Sequence, residues 1–427
     1  MAEIAVIGAG YVGLTTGACL AHLGHEVTIA DIDVAKIQNL EDGEIPIFEP
    51  GLSELITNAI ADDKLRFVVG AHNASSDALF HFLCLPTPPN PDGTTNLEYF
   101  SSVIEEIKEI VPPNSIIVNK STLPVGTASG LTELISRDDV QVVSNPEFLS
   151  EGNAVEDFLR PSRIVIGANS EEAAAKVAAL YSDIEAPQIV TDTESAELIK
   201  HTANAFLAMK LTFINEIATL CELVGANILD VTKGIGHDPR IGSSYLQPGP
   251  GWGGSCFPKD SVSLLQTANR AGFNFELLEK AISLNQVHVE RTAQKVIDVF
   301  SNREAFTNGK VAVLGLTFKA GTDDLRSSPA LAVIEHLIAA DAQVIAYDPM
   351  VKLPVNGVEN LRIASSAYQA AKNADVLVIL TEWGEFADLD FAKIKDAMRQ
   401  PVIVDARNLL QRRDLEHQGF RYIGIGQ

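Results

Sequence analysis

Glu3-Ile4-Ala5-Val6-Ile7-Gly8-Ala9-Gly10-Tyr11-Val12-Gly13-Leu14 is the stretch that decides the fold. Ile4 to Ile7 is an apolar run of buried-strand type, and Gly8 to Gly13 is a glycine-rich turn. Leu14 to Leu23 is a helical stretch, stopped at Gly24. Val27-Thr28-Ile29-Ala30 then reads as a second strand, ending at Asp31. Gly8, Gly10 and Gly13 thus form G-x-G-x-x-G between a strand and a helix. Gly8 permits the tight turn, Gly10 lets the backbone approach a pyrophosphate, and Gly13 lets helix and strand pack closely. The helix start offers free N–H groups and a partial positive charge to phosphates. Asp31 lies where a carboxylate can bind both ribose hydroxyls and would repel the extra phosphate of NADP. The glycine pattern alone is weak. Strand, helix and acid in register make NAD the expected cofactor.

Outward from this unit the alternation continues. Strand-like runs follow at Leu79 to Leu85, Ile116 to Val118, Val140 to Val143 and Ile164 to Ile166, with helical stretches between them. That order predicts a parallel sheet covered on both faces. Glu194 to Val224 keeps helical periodicity without Gly or Pro, which is long for a globular helix and suggests a connector or an oligomer contact. A loop rich in Gly and Pro spans Gly234 to Pro258, and more helix is expected from about Lys259 to Phe300. At Lys310 the strand–turn–helix order restarts. Lys310 to Gly315 parallels Glu3 to Gly8, Val344 to Asp348 parallels Val27 to Asp31, and Ala374 to Ile379 parallels Ser76 to His81. The expected fold is α/β, with two Rossmann-like doubly wound parallel-sheet domains joined by a long central helix. The expected boundaries are 1–193 for the cofactor domain, 194–300 for a helical dimerisation region holding a cysteine loop, and 301–427 for a domain binding the substrate's nucleotide. The second domain lacks the fingerprint: Gly315-Leu316-Thr317-Phe318-Lys319 puts a lysine where a dinucleotide turn is bare.

Bulk composition narrows the classes. A chain of 427 residues with 46% hydrophobic and 21% charged residues is ordinary globular material. Its 32 Lys and Arg against 56 Asp and Glu give a formal charge of -24, which repels nucleic acid and anionic lipid. Any phosphate site must be a local cluster of cations and N–H groups. No apolar run approaches the ~18 residues of a membrane span, and Met1 leads too directly into Ile4 for a signal peptide. Cys19, Cys84, Cys221 and Cys256 are too sparse for a disulfide framework and lack zinc-site spacing, so reduced thiols in a cytoplasmic protein and no metal are expected.

Gly249-Pro250-Gly251-Trp252-Gly253-Gly254-Ser255-Cys256-Phe257-Pro258-Lys259-Asp260 is the most informative segment for chemistry. Its glycines suit close backbone approach rather than a core. Cys256 falls where this loop meets a helix, and thiolates are favoured near helix starts and cations such as Lys259. The other three cysteines lie in apolar periodic segments and read as core. A nucleophilic thiol beside NAD has a specific use. It can make an aldehyde tetrahedral again, so that a second hydride leaves and a thioester forms for hydrolysis. Cofactor motif and cysteine together predict a four-electron oxidation of an alcohol to an acid.

Several residues could support it. Lys200 and Asn204 stand four apart on one helix face and could steady an alkoxide. Asn145-Pro146-Glu147-Phe148-Leu149-Ser150-Glu151 follows a strand, where Glu147 or Glu151 could serve as a base. Lys120-Ser121-Thr122 also follows a strand, with Thr122 able to hold a water, and Asp260 could order a water or a proton. Arg240, Lys319, Arg326 and Arg407 are candidate phosphate partners.

GAGYVGL, LPTP, KSTLPVG, NPEFLSEG, AELIKHTANAFLAMKLTFINEIA, GGSCFPKD and TFKAGTDDLRSSP together resemble the UDP-glucose/GDP-mannose dehydrogenase family over nearly the whole chain. The resemblance implies two NAD reduced per nucleotide sugar, with a sugar of the UDP-glucose type favoured over GDP-mannose or N-acetylated sugars, and a homodimer built on the long helix. It implies Cys256 as nucleophile, Lys200 and Asn204 as oxyanion holders, Thr122 and Asp260 as water-positioning groups, and Glu147 as the acid/base of thioester hydrolysis. It puts Gly8, Gly10, Tyr11, Val12, Gly13, Asp31, Lys36, Thr87, Thr122, Glu151, Lys259 and Arg326 on the cofactor side. It puts Glu147, Phe148, Leu149, Glu151, Lys200, Asn204, Tyr245, Leu246, Gln247, Pro248, Gly249, Gly253, Lys259, Phe318, Lys319 and Arg407 against substrate. Arg240 resembles an arginine that reaches substrate in the neighbouring subunit, which implies a shared active site. Trp252 replaces a common Phe or Tyr, and Lys210 stands where some members have Arg. Two rival readings are a single-step dehydrogenase of the 6-phosphogluconate type, which gives Cys256 no task, and a non-enzymatic nucleotide sensor, which would show no turnover.

Overall fold

The computed structural model describes all residues except 91–92, 308 and 353. The chain divides into two compact units, one of residues 1–203 with 262–273, the other of residues 204–261 with 274–427.

The first unit holds β1 (Glu3–Ile7), β2 (Glu26–Asp31), β3 (Leu65–Val69), β4 (Phe80–Leu83), β5 (Ile116–Asn119), β6 (Gln141–Ser144), β7 (Ile164–Ala168) and β8 (Gln188–Thr191). They form one sheet in the order β3-β2-β1-β4-β5-β6-β7-β8. Alternation builds it: Ile4 and Val6 of β1 join the core on one face, while Ala5 and Ile7 join the core on the other. The order reverses between β1 and β4, which opens a crevice beyond their carboxyl ends. The sheet departs from the all-parallel expectation at β7, which runs antiparallel to β6, pairing Val143 with Ala168. The connection from β6 to β7 contains only a six-residue helix, Ala154–Leu159.

The second unit holds β9 (Lys310–Leu314), β10 (Gln343–Tyr347), β11 (Arg362–Ile363), β12 (Val376–Ile379), β13 (Val402–Asp405) and β14 (Arg421–Gly424). Their order is β11-β10-β9-β12-β13-β14, all parallel, so the second unit repeats the switch of the first between β9 and β12. Val311 and Val313 face one core, Ala312 and Leu314 the other.

A single helix, Thr193–Val224, carries the chain from one unit into the next. Its start lies close over β7, because a Cβ on Gly167 would stand 2.4 Å from Ala196 and 2.7 Å from the Asp192 carbonyl. After it the Gly-rich loop is shorter than the sequence suggests, since Ile228–Gly236 is helical, with Asn227 accepting from Leu229 N–H as its cap. The helix expected beyond the loop is present as two elements, Phe257–Arg270 and Glu276–Ile297. Gly272, at φ +75°, sits in the break. Among the described residues no helix is long and apolar enough to cross a membrane.

Candidate active site

The Gly8 turn is built by backbone proximity. Gly8 has φ +106°, and a Cβ there would lie 2.4 Å from the Cys84 carbonyl oxygen; one on Gly13 would lie 1.8 Å from that of Gly8. Neither position can carry a side chain without moving the sheet. Gly10 is different. It caps the helix Tyr11–His22 with no side-chain bond, and a Cβ there would meet nothing within 4 Å. Protein packing therefore does not require glycine at 10, whereas close approach of a ligand to the uncapped N–H groups does. Asp31 closes the turn, accepting from Ala9 N–H and Lys36 Nζ, each at 2.9 Å, and from Asp33 N–H at 3.0 Å. Burial raises this carboxyl, but the Lys36 ammonium and the two N–H groups outweigh it and hold the acid below its usual range. Thr87 is half-buried just past β4, on the crevice side of the switch. Val12 packs against the core, and the Tyr11 hydroxyl donates to Glu49 and accepts from Gly152 N–H at 3.0 Å. Glu49 also accepts from Gly152 and Ala154 N–H at 2.7 Å, so it fastens the segment carrying the half-buried Glu151. These residues fit a dinucleotide.

The same unit buries an ion pair. Lys200 Nζ lies 3.2 Å from Glu147 Oε1, with side chains 3% and 6% exposed. Glu147 also accepts from Leu149 N–H at 2.5 Å, which curls the NPEFLSEG segment over its own carboxylate. Phe148 lies between two cations, with the Arg163 guanidinium 3.6 Å and Lys200 Nζ 5.3 Å from its ring centre. Thr122 shares a small cavity with Lys200, Glu197 and Asn119. Behind them Lys120 is buried against Asn145 Oδ1 at 3.1 Å and the Phe158 and Tyr181 rings, and burial pushes its ammonium down to about 8.

The second unit carries the thiol. Cys256 is half-buried directly before the helix Phe257–Arg270, while Cys19, Cys84 and Cys221 are buried. Asp260, fully buried one turn on, accepts from Asn204 Nδ2 at 2.6 Å and from Lys259 Nζ at 2.7 Å. Lys259 is thus ion-paired to Asp260. Lys200 and Asn204, expected to aim at one point, are each engaged by a different carboxylate. The loop before Cys256 is pinned by buried polar bonds. Gly249 N–H donates to Asn215 Oδ1 at 3.0 Å, and the Gly249 carbonyl meets His288 Nε2 at 2.7 Å. Trp252 is buried and donates from Nε1 to Thr212 Oγ1 at 2.8 Å, a bond that a Phe or Tyr ring could not make. A Cβ on Gly253 would stand 1.9 Å from the Ser327 carbonyl, and one on Gly254 would stand 2.7 Å from the Phe318 ring.

The remaining candidates fall in two groups. Arg407 donates to the Leu380 and Phe318 carbonyls, pairs with Glu382 at 3.0 Å, and would meet a Cβ on Gly249 at 2.8 Å. Lys319 lies 5.7 Å from the Phe318 ring, so these cations gather by the Gly249 loop. Leu246 and Pro248 are buried, Gln247 is exposed, and Tyr245 holds φ +61° with its ring 6.1 Å from Phe257. Lys210 secures that segment through the Ile241 and Ser244 carbonyls. Arg240 and Arg326 stand apart, their side chains 87% and 67% exposed and paired locally with Asp238 and Asp324. Glu49, Asn119, Arg163 and Glu197 went unread in the sequence, because each looks ordinary until its through-space partners are known.

Three family models match the chain in succession. Residues 2–185 match the UDP-glucose/GDP-mannose dehydrogenase family, NAD binding domain; residues 194–287 match its central domain, and 312–412 its UDP binding domain. The UDP-glucose 6-dehydrogenase of Rhizobium meliloti (strain 1021) is 44% identical over 100% of this chain and 99% of its own length. UDP-glucose 6-dehydrogenase TuaD of Bacillus subtilis (strain 168) is 41% identical over 100% of this chain and 94% of its own. Among solved structures, a UDP-glucose dehydrogenase from Pyrobaculum islandicum superposes with TM-score 0.90 at 32% identity, covering 100% of this chain and 98% of that one.

Proposed function

The chain belongs to the UDP-glucose/GDP-mannose dehydrogenase family, and from that premise we propose that it oxidises UDP-glucose to UDP-glucuronate through a covalent adduct on Cys256. It is an NAD-dependent oxidoreductase whose first 185 residues carry the NAD-binding domain. The observation that carries the covalent reading is the contrast among the thiols: Cys256 alone of the four is half-buried, and it ends a glycine loop pinned on both sides. The chemistry supplied by the bound dinucleotide is acceptance of one hydride in each of two oxidations. The chain's residues do the rest. Lys200 and Asn204 hold the sugar oxygen as it becomes anionic. The Cys256 thiol forms an S–C bond to the C6 aldehyde as its S–H proton passes to the aldehyde oxygen, giving a thiohemiacetal; loss of its C6 hydride to a second NAD and of its hydroxyl proton to solvent leaves a thioester. A water held by Thr122 and Asp260 adds to that carbonyl, Glu147 takes the water's proton, and the C–S bond breaks to return the thiolate. Arg407, Lys319 and the Tyr245 to Gly249 segment hold the nucleotide sugar, and Glu151, Lys36 and Arg326 serve the cofactor side. In this reading residues 194–300 form the functional segment between a cofactor domain at 1–193 and a substrate domain at 301–427.

We further propose a homodimer through the connecting helix. Phe206, Phe213 and Leu220 repeat at seven-residue spacing and are 57%, 58% and 51% exposed. Such a stripe is a buried seam in an assembly. Arg240, pointing into solvent, is the candidate to serve the partner's site. A fully active monomer in sedimentation at assay concentration would rule this out. Four thiols without a disulfide among them suit the cytoplasm.

The test is at Cys256. Cys256→Ala should lose net acid formation by more than the ~10²–10⁴ of a general acid–base group. Cys256→Ser can still add to the aldehyde, and its oxygen ester should hydrolyse more slowly than a thioester. Mass spectrometry after mixing with NAD and UDP-glucose should then show a sugar-nucleotide adduct. Acid release by Cys256→Ala at near the wild-type rate, with two NADH formed, would show the loop to be structural only. A panel of UDP- and GDP-sugars fixes the preferred substrate.

A further inference from the structure

The connecting helix holds one loop of the second unit at two points. Lys210, half-buried on that helix, donates from Nζ to the Ile241 carbonyl at 3.1 Å and to the Ser244 carbonyl at 2.6 Å. Further along the helix Asn215 is buried, and its Oδ1 accepts from Gly249 N–H at 3.0 Å. Tyr245, Leu246, Gln247 and Pro248 are strung between these two anchors. Leu246 is buried in the core of the second unit and fixes the middle of the span, while Tyr245 and Gln247 are exposed.

The first half of the loop is closed by its own groups. The Asp238 carboxylate accepts from Arg240 N–H and from the Arg240 guanidinium, each at 3.0 Å, and the Asp238 carbonyl accepts from Ile241 and Gly242 N–H at 2.9 Å. The second half turns through two left-handed residues, Gly242 at φ +71° and Tyr245 at φ +61°. A tyrosine keeps that conformation only where its surroundings impose it. The Ser244 carbonyl belongs to the peptide that enters Tyr245, so the bond from Lys210 fixes the plane on one side of the strained φ. That bond is charge-assisted, and an ionised donor holds a carbonyl about twice as strongly as a neutral one. Asn215 fixes the far end of the span.

We propose that Lys210 is a positioning residue for the nucleotide sugar: by holding the Ser244 peptide it keeps Tyr245, and with it the segment to Gly249, in the conformation that meets substrate. The inference rests on the reading of Tyr245 to Gly249 as a substrate segment and deepens it. Steady-state kinetics of wild type, Lys210→Met and Lys210→Arg, with UDP-glucose and NAD varied in turn, test it. Methionine keeps most of the side chain and loses the donors. A loop no longer held in its bound conformation must be ordered by the substrate, so KM for UDP-glucose should rise by about tenfold in Lys210→Met. KM for NAD should stay within about twofold of wild type, because the loop serves the sugar and not the cofactor. Arginine carries donors at a similar reach, so Lys210→Arg should recover most of the loss. A lysine that served folding alone would lower Tm and leave the two KM values in their wild-type ratio. Lys210 also shares its helix face with the exposed Phe206 and Phe213 of the proposed seam. A rise in both KM values in a variant that sediments as a monomer, where wild type is a dimer, would place the effect in the seam and overturn the proposal. A crystal structure of Lys210→Met reads the loop without turnover. Tyr245 should leave the left-handed region, and a Tyr245 unmoved from φ +61° overturns the proposal whatever the kinetics. If Tyr245 moves while the KM ratio stays at the wild-type value, Lys210 holds the loop as stated and the reading of Tyr245 to Gly249 as a substrate segment fails.

Discussion

The two units begin with the same strand–turn architecture and finish their turns in opposite ways. Gly8 and Gly315 both take positive φ, and each donates its N–H to the end of the neighbouring strand, to the Ala30 carbonyl at 2.7 Å and to the Tyr347 carbonyl at 2.8 Å. In the first unit the helix starts at Tyr11, three residues later, with an uncapped end. In the second it starts at Pro329, and Ser328 caps it by accepting from Ala330 and Leu331 N–H. The acids after the second strands differ likewise. Asp31 keeps an edge toward solvent, 11% exposed, while Asp348 is 1% exposed and accepts from Leu316 N–H, Thr317 N–H and Trp383 Nε1. The second unit fills with its own groups the place that the first leaves for a ligand. One topology thus serves two tasks, and a few side chains at the turn decide which.

Helix ends sharpen the contrast through pH. The Thr127–Ile135 helix is finished by a carboxylate from another element, Glu197, and the Pro329–Ala339 helix by a neutral hydroxyl. Glu197 is raised by burial from 4.5 to about 7. A raised folded-state carboxyl contributes stability that is fully present below the unfolded value and is lost as pH rises through the folded one. Wild-type thermal stability should therefore fall from about pH 5 to about pH 8, by at most on the order of 3 kcal/mol. Lys120, pushed down to about 8, acts in the opposite sense but above that pH. The difference in Tm between wild type and Glu197→Gln should slope across this window, and the difference for Ser328→Ala should be flat. A flat Glu197 curve would mean that the carboxylate titrates as in water.

The two acids give the next effect. Asp31→Ala removes a carboxylate that bonds Ala9, Asp33 and Lys36 and faces the cofactor turn, so NAD binding should weaken by about 1–3 kcal/mol and the preference over NADP should narrow. Asp348→Ala leaves buried donors unpaired, so stability should fall by a similar ~1–3 kcal/mol while NAD affinity by calorimetry stays put. Equal turnover of the wild type with NADP would remove the role given to Asp31. A matching loss of NAD affinity in Asp348→Ala would erase the distinction between the turns.

Much of this was legible in the sequence because it is local. Alternation in Ile4 to Ile7 and Val311 to Leu314, glycine spacing and the acid at the strand end fix the two sheets. Strand direction at β7 was not legible, since a short apolar run reads the same either way. Gly272 was visible, but its φ of +75°, which separates the two helices of that span, depends on context. Motifs located Cys256, Lys200 and Asn204. Their pairing with Glu147 and Asp260 is tertiary, and so is the burial of Glu197, which on a helix of 32 residues looks like any solvated acid.

The smallest effect comes from exchanging the caps. Ser328→Ala should cost about 0.5–2 kcal/mol of stability without touching NAD affinity, because its two N–H partners lie in the second unit. Gly10→Ser is the reciprocal change. Gly10 has φ -87° and ψ -169°, a conformation that serine adopts at a helix start, and the added Cβ meets nothing within 4 Å. The serine hydroxyl can accept from the free N–H groups of the Tyr11–His22 helix and gain a few tenths of a kcal/mol in the protein without cofactor. The same hydroxyl then occupies the space and the donors that a pyrophosphate needs. NAD affinity should fall by about tenfold, or ~1.4 kcal/mol, while Tm without cofactor holds or rises slightly. Calorimetric titration and thermal melts on one preparation separate the two readouts. If Gly10→Ser binds NAD as tightly as the wild type, the bare helix end is not where the phosphates rest, and the difference between the two turns lies in Asp31 alone.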